Sequence, residues 1–413
     1  MESFHSSEEE MIVEKRSGYN FRIYPSYEQK IFFAKHFGCC RFIYNELLSY
    51  RSDQYRQHGR KISGFEAKRR ISVLKKDPEY SWLKEVNSQS LQESAIDLEA
   101  AYQAFFRKRN RYPRYKKRNS RQSFTVPQNF CLKTSSRGND FLFIPKHKSG
   151  IKTIAHRKVK GVAKRVVIVK TPAGNYYANI ICVEEVEVKD SQCGRTIGID
   201  VGLKHLLTMC YGDKVDPLRL LYLYEKRLAR LCKLLSRKKK GSINRNSARI
   251  IVARLHEKIA NIRKDFLHKL SRKLVNENQV IRIEDLNISG LLKNNRLAKA
   301  ISDASWGRFF EMLIYKARWA GKKVEKAGRF AATSKLCSNC GNKNHELTLK
   351  DRFWTCCKCG KAHDRDINAA KNIKRLGRGT PEFTPVERST AAFSCMKKKV
   401  GSLKQEADFK CEA

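Results

Sequence analysis

Four cysteines near the C-terminal end have the spacing of a metal site. Cys337 and Cys340 are followed, after fifteen residues, by Cys356 and Cys359, a C-x2-C…C-x2-C arrangement in which each pair turns two thiolates toward one ion. Four thiolates close a tetrahedron and leave no position for water, so a Zn2+ held there is structural and bond-breaking chemistry must lie elsewhere. Cys357, between the ligands of the second turn, should point away, and His345 and His363 are the reserve ligands if a cysteine is not used.

Carboxylates mark that other place. Asp200 interrupts the apolar run TIGID and Glu284 interrupts VIRIED, where a buried acid is costly unless it is paired or bound to metal. Either one alone reads as a satisfied structural acid. Two in one domain, followed by the acids of HDRDI where a helix begins, form a set that can converge at the strand ends of an α/β sheet. Such a set holds two Mg2+ about 3.5 to 4 Å apart and hydrolyses phosphodiesters, and hard oxygen ligands suit Mg2+. Asp364 and Asp366 are two apart and face opposite sides of an extended chain. Spacing leaves open which one joins, the alternatives for Asp364 being an N-cap or a surface acid.

These residues need elements to carry them. GYNFRIY alternates Tyr19, Phe21 and Ile23 inward as a strand, and Ser26 with Gln29 is a capping-box pattern that opens a helix running to about residue 57. Helical spacing returns at 88 to 107 through Leu91, Ala95, Leu98, Tyr102 and Phe105. Short strands follow (SFTVP, FLFIP, IKTIAH, RVVIVK and YYANIICV), the last two joined by the turn signal TPAGN, which together suggest a small β-barrel sharing its module with the N-terminal strand. GRTIGIDVGLKHLLTM reads as strand, tight turn and strand. Two helices then carry apolar stripes, Leu221 to Leu235 and Ile251 to Leu274, and predict a helical hairpin with a basic tip. QVIRIEDLNISG is a buried strand, followed by a helix at about 305 to 320, the strand KKVEKA, the cysteine window and a last helix from Asn368. The expected organisation is a strand at 1–25, a helical module at 26–110, a β-module at 111–190, an α/β domain at 191–332 completed by a helix at 364–376, the cysteine module at 333–363, and a disordered tail at 377–413.

Charge names the partner class. Lys and Arg number 86 against 41 Asp and Glu, a net +45 over 413 residues, spread in blocks that alternate with aromatics, as in grooves that follow phosphates and stack bases. In RKRNRYPRYKKRNSR, residues 107 to 121, nine of fifteen residues are basic. Arg107, Lys108, Arg109, Arg114, Lys116, Lys117 and Arg118 are candidate nucleic-acid contacts there, against the plainer reading of a solvated linker. At the hairpin tip the candidates are Arg237, Lys238, Lys239, Lys240 and Arg245. No apolar run reaches the length of a membrane span. The N-terminus lacks an apolar signal segment, so a cytoplasmic, nucleoid-associated protein without a membrane partner is expected. Crowding of five of the fourteen cysteines into one window favours metal over disulfides.

GIDVGLKHLLT, LHEKIANIRKDFLHKLS, VIRIEDLNISGLLKN, LAKAISDASWGRF, SKLCSNCG and FWTCCKCGKAHDRDINAAKNI resemble the TnpB (OrfB) family of insertion sequences, and FRIYPSYEQKIFFAKHFGCCRFIYNELL is similar to that family's opening segment. The chain departs from many members at GRFAATSK, residues 328 to 335. The resemblance implies a multidomain α/β protein: an RNase H-like RuvC nuclease domain with an inserted zinc ribbon, and an N-terminal β-barrel (wedge) module with an inserted helical recognition module. It implies an RNA-guided DNA endonuclease related to type V CRISPR effectors, with guide RNA and target DNA as partners, a short flanking motif beside the target, two catalytic Mg2+ and one Zn2+; the sequence leaves the oligomeric state open, with a monomer as the expectation. By resemblance the catalytic acids are Asp200, Glu284 and Asp366, and the zinc ligands Cys337, Cys340, Cys356 and Cys359. The competing readings are a guided DNA-binding regulator without cleavage, which would not need the acids, and an unguided transposase, which would.

Overall fold

Alternating burial builds the first strand, β1 (Met11–Tyr24), in which Tyr19, Phe21 and Ile23 point into a core while Asn20 and Tyr24 face out. The computed structural model describes residues 11–118, 121–188, 194–328, 333–348 and 351–376; the tail expected at 377–413 lies outside the described residues. After β1, the Ser26 side chain accepts from the Gln29 backbone while the Gln29 side chain accepts from the Ser26 N–H, the reciprocal cap that starts α1 (Tyr27–His58). Gly59, at φ 62°, ends that helix. Then come α2 (Gly64–Lys76), a 3-10 segment (Pro78–Lys84) and α3 (Ser88–Phe106). The helix α2 had no counterpart in the sequence reading.

Six strands follow: β2 (Gln122–Val126), β3 (Cys131–Thr134), β4 (Asp140–Phe143), β5 (Ile151–Ile154), β6 (Val162–Lys170) and β7 (Tyr176–Val188). With β1 they form an antiparallel sheet ordered β2-β6-β7-β1-β5-β4-β3, so β2 and β3 stand at opposite ends of the order. Phe33 and Phe37 of α1 meet Phe124 of β2, and Phe33 also meets Tyr176 of β7. Helices and sheet therefore share one hydrophobic core.

The second core belongs to β8 (Thr196–Val201), β9 (Leu207–Met209), β10 (Lys214–Val215), α4 (Leu220–Leu223), α5 (Glu225–Ser236), α6 (Ile243–Glu277), β11 (Val280–Glu284), α7 (Ile288–Leu291), α8 (Ala298–Ala304), α9 (Trp306–Trp319) and β12 (Lys323–Ala327). The sheet order is β10-β9-β8-β11-β12, with β8, β11 and β12 parallel and β9 and β10 antiparallel. Ile197 and Ile199 of β8, with Ile281 and Ile283 of β11, bury against Leu267, Leu274, Phe309 and Leu313 of α6 and α9. The opposite face, where Gly198 and Asp200 point by alternation, receives the last helix. The apolar stripes of α5 and α6 pack together through Leu228, Leu231, Leu255 and Ile259, as their spacing predicts.

The cysteine module adds a hairpin of β13 (Phe353–Thr355) and β14 (Ala362–Asp364). The last helix, α10 (Arg365–Leu376), starts three residues before the expected Asn368 because the Asp364 carboxylate accepts from the N–H groups of Asp366 and Ile367 and caps it there.

Candidate active site and metal centre

Parallel pairing sets two acids side by side. Ile199 of β8 is in register with Ile283 of β11, and the next residues are Asp200 and Glu284, both on the face toward α10. Arg282, two residues before Glu284, points the same way, since its guanidinium donates to the Lys374 carbonyl of α10.

The third acid arrives by close contact. A Cβ at Gly198 would lie 2.2 Å from the Ala370 carbonyl oxygen and 2.5 Å from the Lys374 nitrogen, so only glycine lets α10 lie directly on β8. From Gly198 to Asp200 the strand advances about 6.6 Å, and from Ala370 back to Asp366 the helix retreats about 6 Å. With strand and helix running oppositely, those steps bring Asp366 over Asp200. The electrostatics agree. Burial first, then the charges of Glu284 and Asp366, together push the Asp200 carboxyl up to about 8, against Arg365. Glu284 is also raised, by burial and then by Asp285. A buried carboxylate at Asp200 that feels the charges of Glu284 and Asp366 marks a site short of positive charge, and hard carboxylate oxygens fit Mg2+.

Asp364 has a different place. Besides capping α10 it accepts from Lys214 Nζ of β10 at 2.7 Å. Burial would raise its carboxyl, but the Lys214 bond and the helix N–H groups outweigh that and hold it below the usual range. Asp366 is left with a 3.4 Å contact to Arg352.

The four cysteine sulfurs all lie within 4.8 Å of one another. Cys337 and Cys359 are 3.7 Å apart and Cys340 and Cys356 3.6 Å apart, close to the edge of about 3.8 Å expected when four sulfurs surround zinc at about 2.3 Å. The donor set fits a tetrahedral zinc. Two knuckles build it alike: Cys337 donates its N–H to Asn342 O while Gly341 donates to Cys337 O, and Cys356 donates to Lys361 O while Gly360 donates to Cys356 O. Gly341 and Gly360 are at φ 78° and 66°, left-handed turns that favour glycine. The backbone of Lys361 and the Asn339 amide hold the Cys359 thiol down to about 6, favouring the thiolate that a metal needs. Cys357 is exposed and outside the cluster. His363 is buried against Trp354, with Nε2 3.1 Å from Cys337 Sγ, the placement of a supporting hydrogen bond to a ligand sulfur. His345 joins no cluster among the described residues.

Two asparagines that the sequence reading did not single out join this module to α10. Asn368 accepts from Ser338 N–H at 2.8 Å and donates to Leu336 O at 2.6 Å, and Asn372 donates to Thr333 O and Leu336 O. Both are buried and lie four apart, on one helix face. Buried asparagines at that spacing in an otherwise apolar stripe were the available signal.

Of the basic candidates, Arg107, Lys108, Arg109, Arg114, Lys117, Arg118 and Arg237, Lys238, Lys239, Lys240 are exposed. Lys116 lies 4.0 Å over the Tyr44 ring, 3.7 Å from Asp97, with its backbone clasped by Asn45. Arg245 donates to Leu235 O and Lys238 O and so closes the C-terminal end of α5.

Comparisons with known proteins bear on the same regions. The OrfB_IS605 family, described as "Probable transposase", matches residues 180–295; a "Helix-turn-helix domain" of that family matches 11–60, here a strand and one long helix; and "Cas12f1-like, TNB domain" matches 306–373. A Streptomyces pristinaespiralis protein, provisionally named an RNA-guided DNA endonuclease, is 36% identical over 369 residues, 89% of this chain and 90% of its own length. InsQ of Escherichia coli K12, named in the same way, is 32% identical over 380 residues, 88% of this chain and 93% of its own. Among solved structures, Cas12f1 in a complex with sgRNA and target DNA matches with a TM-score of 0.51 at 16% identity, over 88% of this chain and 99% of that one, a likeness of fold. No helix among the described residues is long and apolar enough to cross a membrane.

Proposed function

Because this chain belongs to the TnpB (OrfB) family, we propose that it is an RNA-guided DNA endonuclease that hydrolyses phosphodiester bonds with Mg2+ beside a short flanking motif. The observation that carries this reading is the approach of Asp200, Glu284 and Asp366 from two paired strands and one close-packed helix, where burial first and the charges of Glu284 and Asp366 next push Asp200 up to about 8. Asp200, Glu284 and Asp366 would hold Mg2+, which supplies Lewis acidity at the phosphate and a nucleophilic water. The chain's own residues do the positioning. Pairing of β8 with β11 fixes Asp200 against Glu284, Gly198 admits α10, and the Asp364 cap aims Asp366 inward while Lys214 holds Asp364 out.

In this reading residues 191–332 and 364–376 form a RuvC-like nuclease domain, 333–363 a structural zinc ribbon, 1–25 and 111–190 a wedge-type β-module and 26–110 a recognition module. Guide RNA pairs with target DNA and supplies sequence specificity, while the protein reads the flanking motif and backbone shape. The protein acts as a monomer in the cytoplasm. The test is to express the chain with its native flanking DNA, sequence the RNA that copurifies, and assay cleavage of matched DNA by wild type and by Asp200→Ala. One abundant RNA, with cleavage that needs it and is lost in the variant, is the expected result. Cleavage without RNA would instead make an unguided transposase the better account, and RNA-dependent binding without cleavage a regulator.

A further inference from the structure

Two residues before the acids, parallel register sets Gly198 of β8, Arg282 of β11 and Glu325 of β12 in one row. Alternation turns that row, like the acids, toward α10. Gly198 gives way to the helix, and Arg282 fills the neighbouring place with a cation whose side chain is only 11% exposed. A guanidinium buried that far is costly unless its donors are met, and two partners meet them. Nε donates to Glu325 Oε2 at 2.6 Å, and Nη1 donates to the Lys374 carbonyl of α10. An apolar side chain would fill the same space between sheet and helix; what the arginine adds is a directed bond to one helix atom.

That bond sits where it can stop the helix from sliding. Lys374 lies in the last turn of α10, where helix carbonyls lack helical partners and carry the negative end of the dipole. A cation there is stabilising on both counts. The Lys374 side chain is held as well, Nζ donating to Tyr211 OH at 2.9 Å and Tyr211 OH donating to Thr196 O at 2.9 Å. Asp366 is eight residues earlier, about 12 Å along the axis. The contact at Gly198 is steric and limits how near the helix comes to the sheet; the Arg282 bond limits where it stops along its own axis. Arg282 shares its strand with Glu284, and Lys374 shares its helix with Asp366, so one bond ties together the carriers of two acids. A slip of one residue, about 1.5 Å, breaks it and shifts Asp366 past Asp200 by the same amount, while a metal site needs its ligands held to about 0.5 Å.

We propose that Arg282 is a positioning residue of the acid site: by holding the Lys374 carbonyl it sets the axial place of α10, and thereby the reach of Asp366 toward a cation shared with Asp200 and Glu284. The inference rests on the reading of these acids as Mg2+ ligands.

The test is direct metal binding, which needs no cleavage. Mn2+ is the probe, since it takes the same carboxylate ligands as Mg2+ and its paramagnetic resonance signal reports the free ion. It is titrated against zinc-loaded wild type, Asp200→Ala, Arg282→Met, Arg282→Lys and Leu313→Ala, well below the melting temperature of each. Methionine keeps the apolar stem and loses both bonds, so Arg282→Met should bind Mn2+ roughly tenfold more weakly, the size of effect usual for residues that support metal ligands. Lysine keeps a donor for the Lys374 carbonyl and should recover most of that loss. Leu313→Ala opens the core on the opposite face of the sheet; it is the control for lost stability and should bind as wild type. In RNA-dependent cleavage, Arg282→Met should need about tenfold more Mg2+ for half its full rate, with affinity for target DNA unchanged. Equal Mn2+ affinity in wild type and Arg282→Met would overturn the proposal, as would an equal loss in Leu313→Ala. Mn2+ binding that survives Asp200→Ala would overturn the metal reading of the acids itself, and this inference with it.

Discussion

The backbone N–H of Ser338, between the first two cysteines of the metal cluster, donates to the side chain of Asn368, on the helix that presents Asp366. Asn372, one turn on, holds Thr333 and Leu336. The knuckle is thus fastened by buried bonds to the helix that carries Asp366. Asn368→Leu strands the Ser338 donor in a buried setting and should cost about 1 to 3 kcal/mol. The expected outcome is a lower melting temperature and reduced cleavage with zinc content, measured by elemental analysis, unchanged; cleavage at the wild-type rate would separate the two sites.

Gly198 is the tightest constraint on that helix. A methyl group there meets the backbone of α10 at 2.2 Å, and backbone cannot turn aside as a side chain can. Gly198→Ala should destabilise the protein by more than about 2 kcal/mol and abolish cleavage by lifting Asp366 away from Asp200. Gly194→Ala, where nothing lies within 4 Å, is the matched control and should melt as wild type. Equal melting of the two variants would show that the α10 contact yields.

Local pattern carried most of the elements. The capping box at Ser26, the alternation in β1 and the stripes of α5 and α6 are short-range signals, and each appears in the fold where the residues place it. What spacing alone left open was long-range. Neither Asp364 nor Asp366 can be chosen without knowing that Lys214, 150 residues earlier, meets Asp364, or that a glycine in β8 brings a helix from the far end of the chain onto the sheet. The helix α2 escaped the reading because its basic residues mask a sparse stripe of Ala67, Ile71 and Leu74. Arg245 looked like its basic neighbours, and only the carbonyls it caps distinguish it.

That difference is measurable. Arg245→Ala should loosen the hairpin tip, lowering stability by about 1 to 2 kcal/mol through loss of charged hydrogen bonds, while leaving the salt dependence of nucleic-acid binding nearly unchanged. Lys239→Ala, an exposed neighbour, should do the reverse, leaving the melt unmoved and making the salt slope shallower by a little under one. Equal slopes for the two variants would put Arg245 among the phosphate contacts after all.

His36 makes a pH prediction in the first core. The Asn87 backbone N–H can only donate, so His36 Nε2 must accept it at 3.1 Å and Nδ1 must carry the proton donated to Phe32 O at 3.0 Å. Burial lowers the imidazole from its ordinary 6.5 to about 4, with Lys146 lowering it too and the Phe32 bond opposing. Below pH 6.5 the unfolded chain takes up a proton that the folded chain refuses. Stability is therefore intact above that pH and falls as pH drops toward 4, by on the order of 3 kcal/mol from this group. Denaturant melts at several pH values should be flatter over that window for His36→Gln than for wild type; parallel curves would assign the acid sensitivity elsewhere.

Metal removal is the decisive test of the ribbon's part. A closed set of four thiolates offers no open position to a substrate, so loss of zinc should act on folding and on the placing of α10, leaving the phosphodiester chemistry itself untouched. Cys356→Ala should lose the ion, expose the small core of Cys337, Leu347 and Trp354, and release Asn368 and Asn372 from the first knuckle. Cleavage should fall with it, while binding of nucleic acid by the basic surfaces of the sheet and hairpin persists. Cys357→Ala, outside the cluster, should keep both zinc and activity. Full cleavage by zinc-free Cys356→Ala protein would mean that α10 holds Asp366 over Asp200 through the Gly198 contact alone.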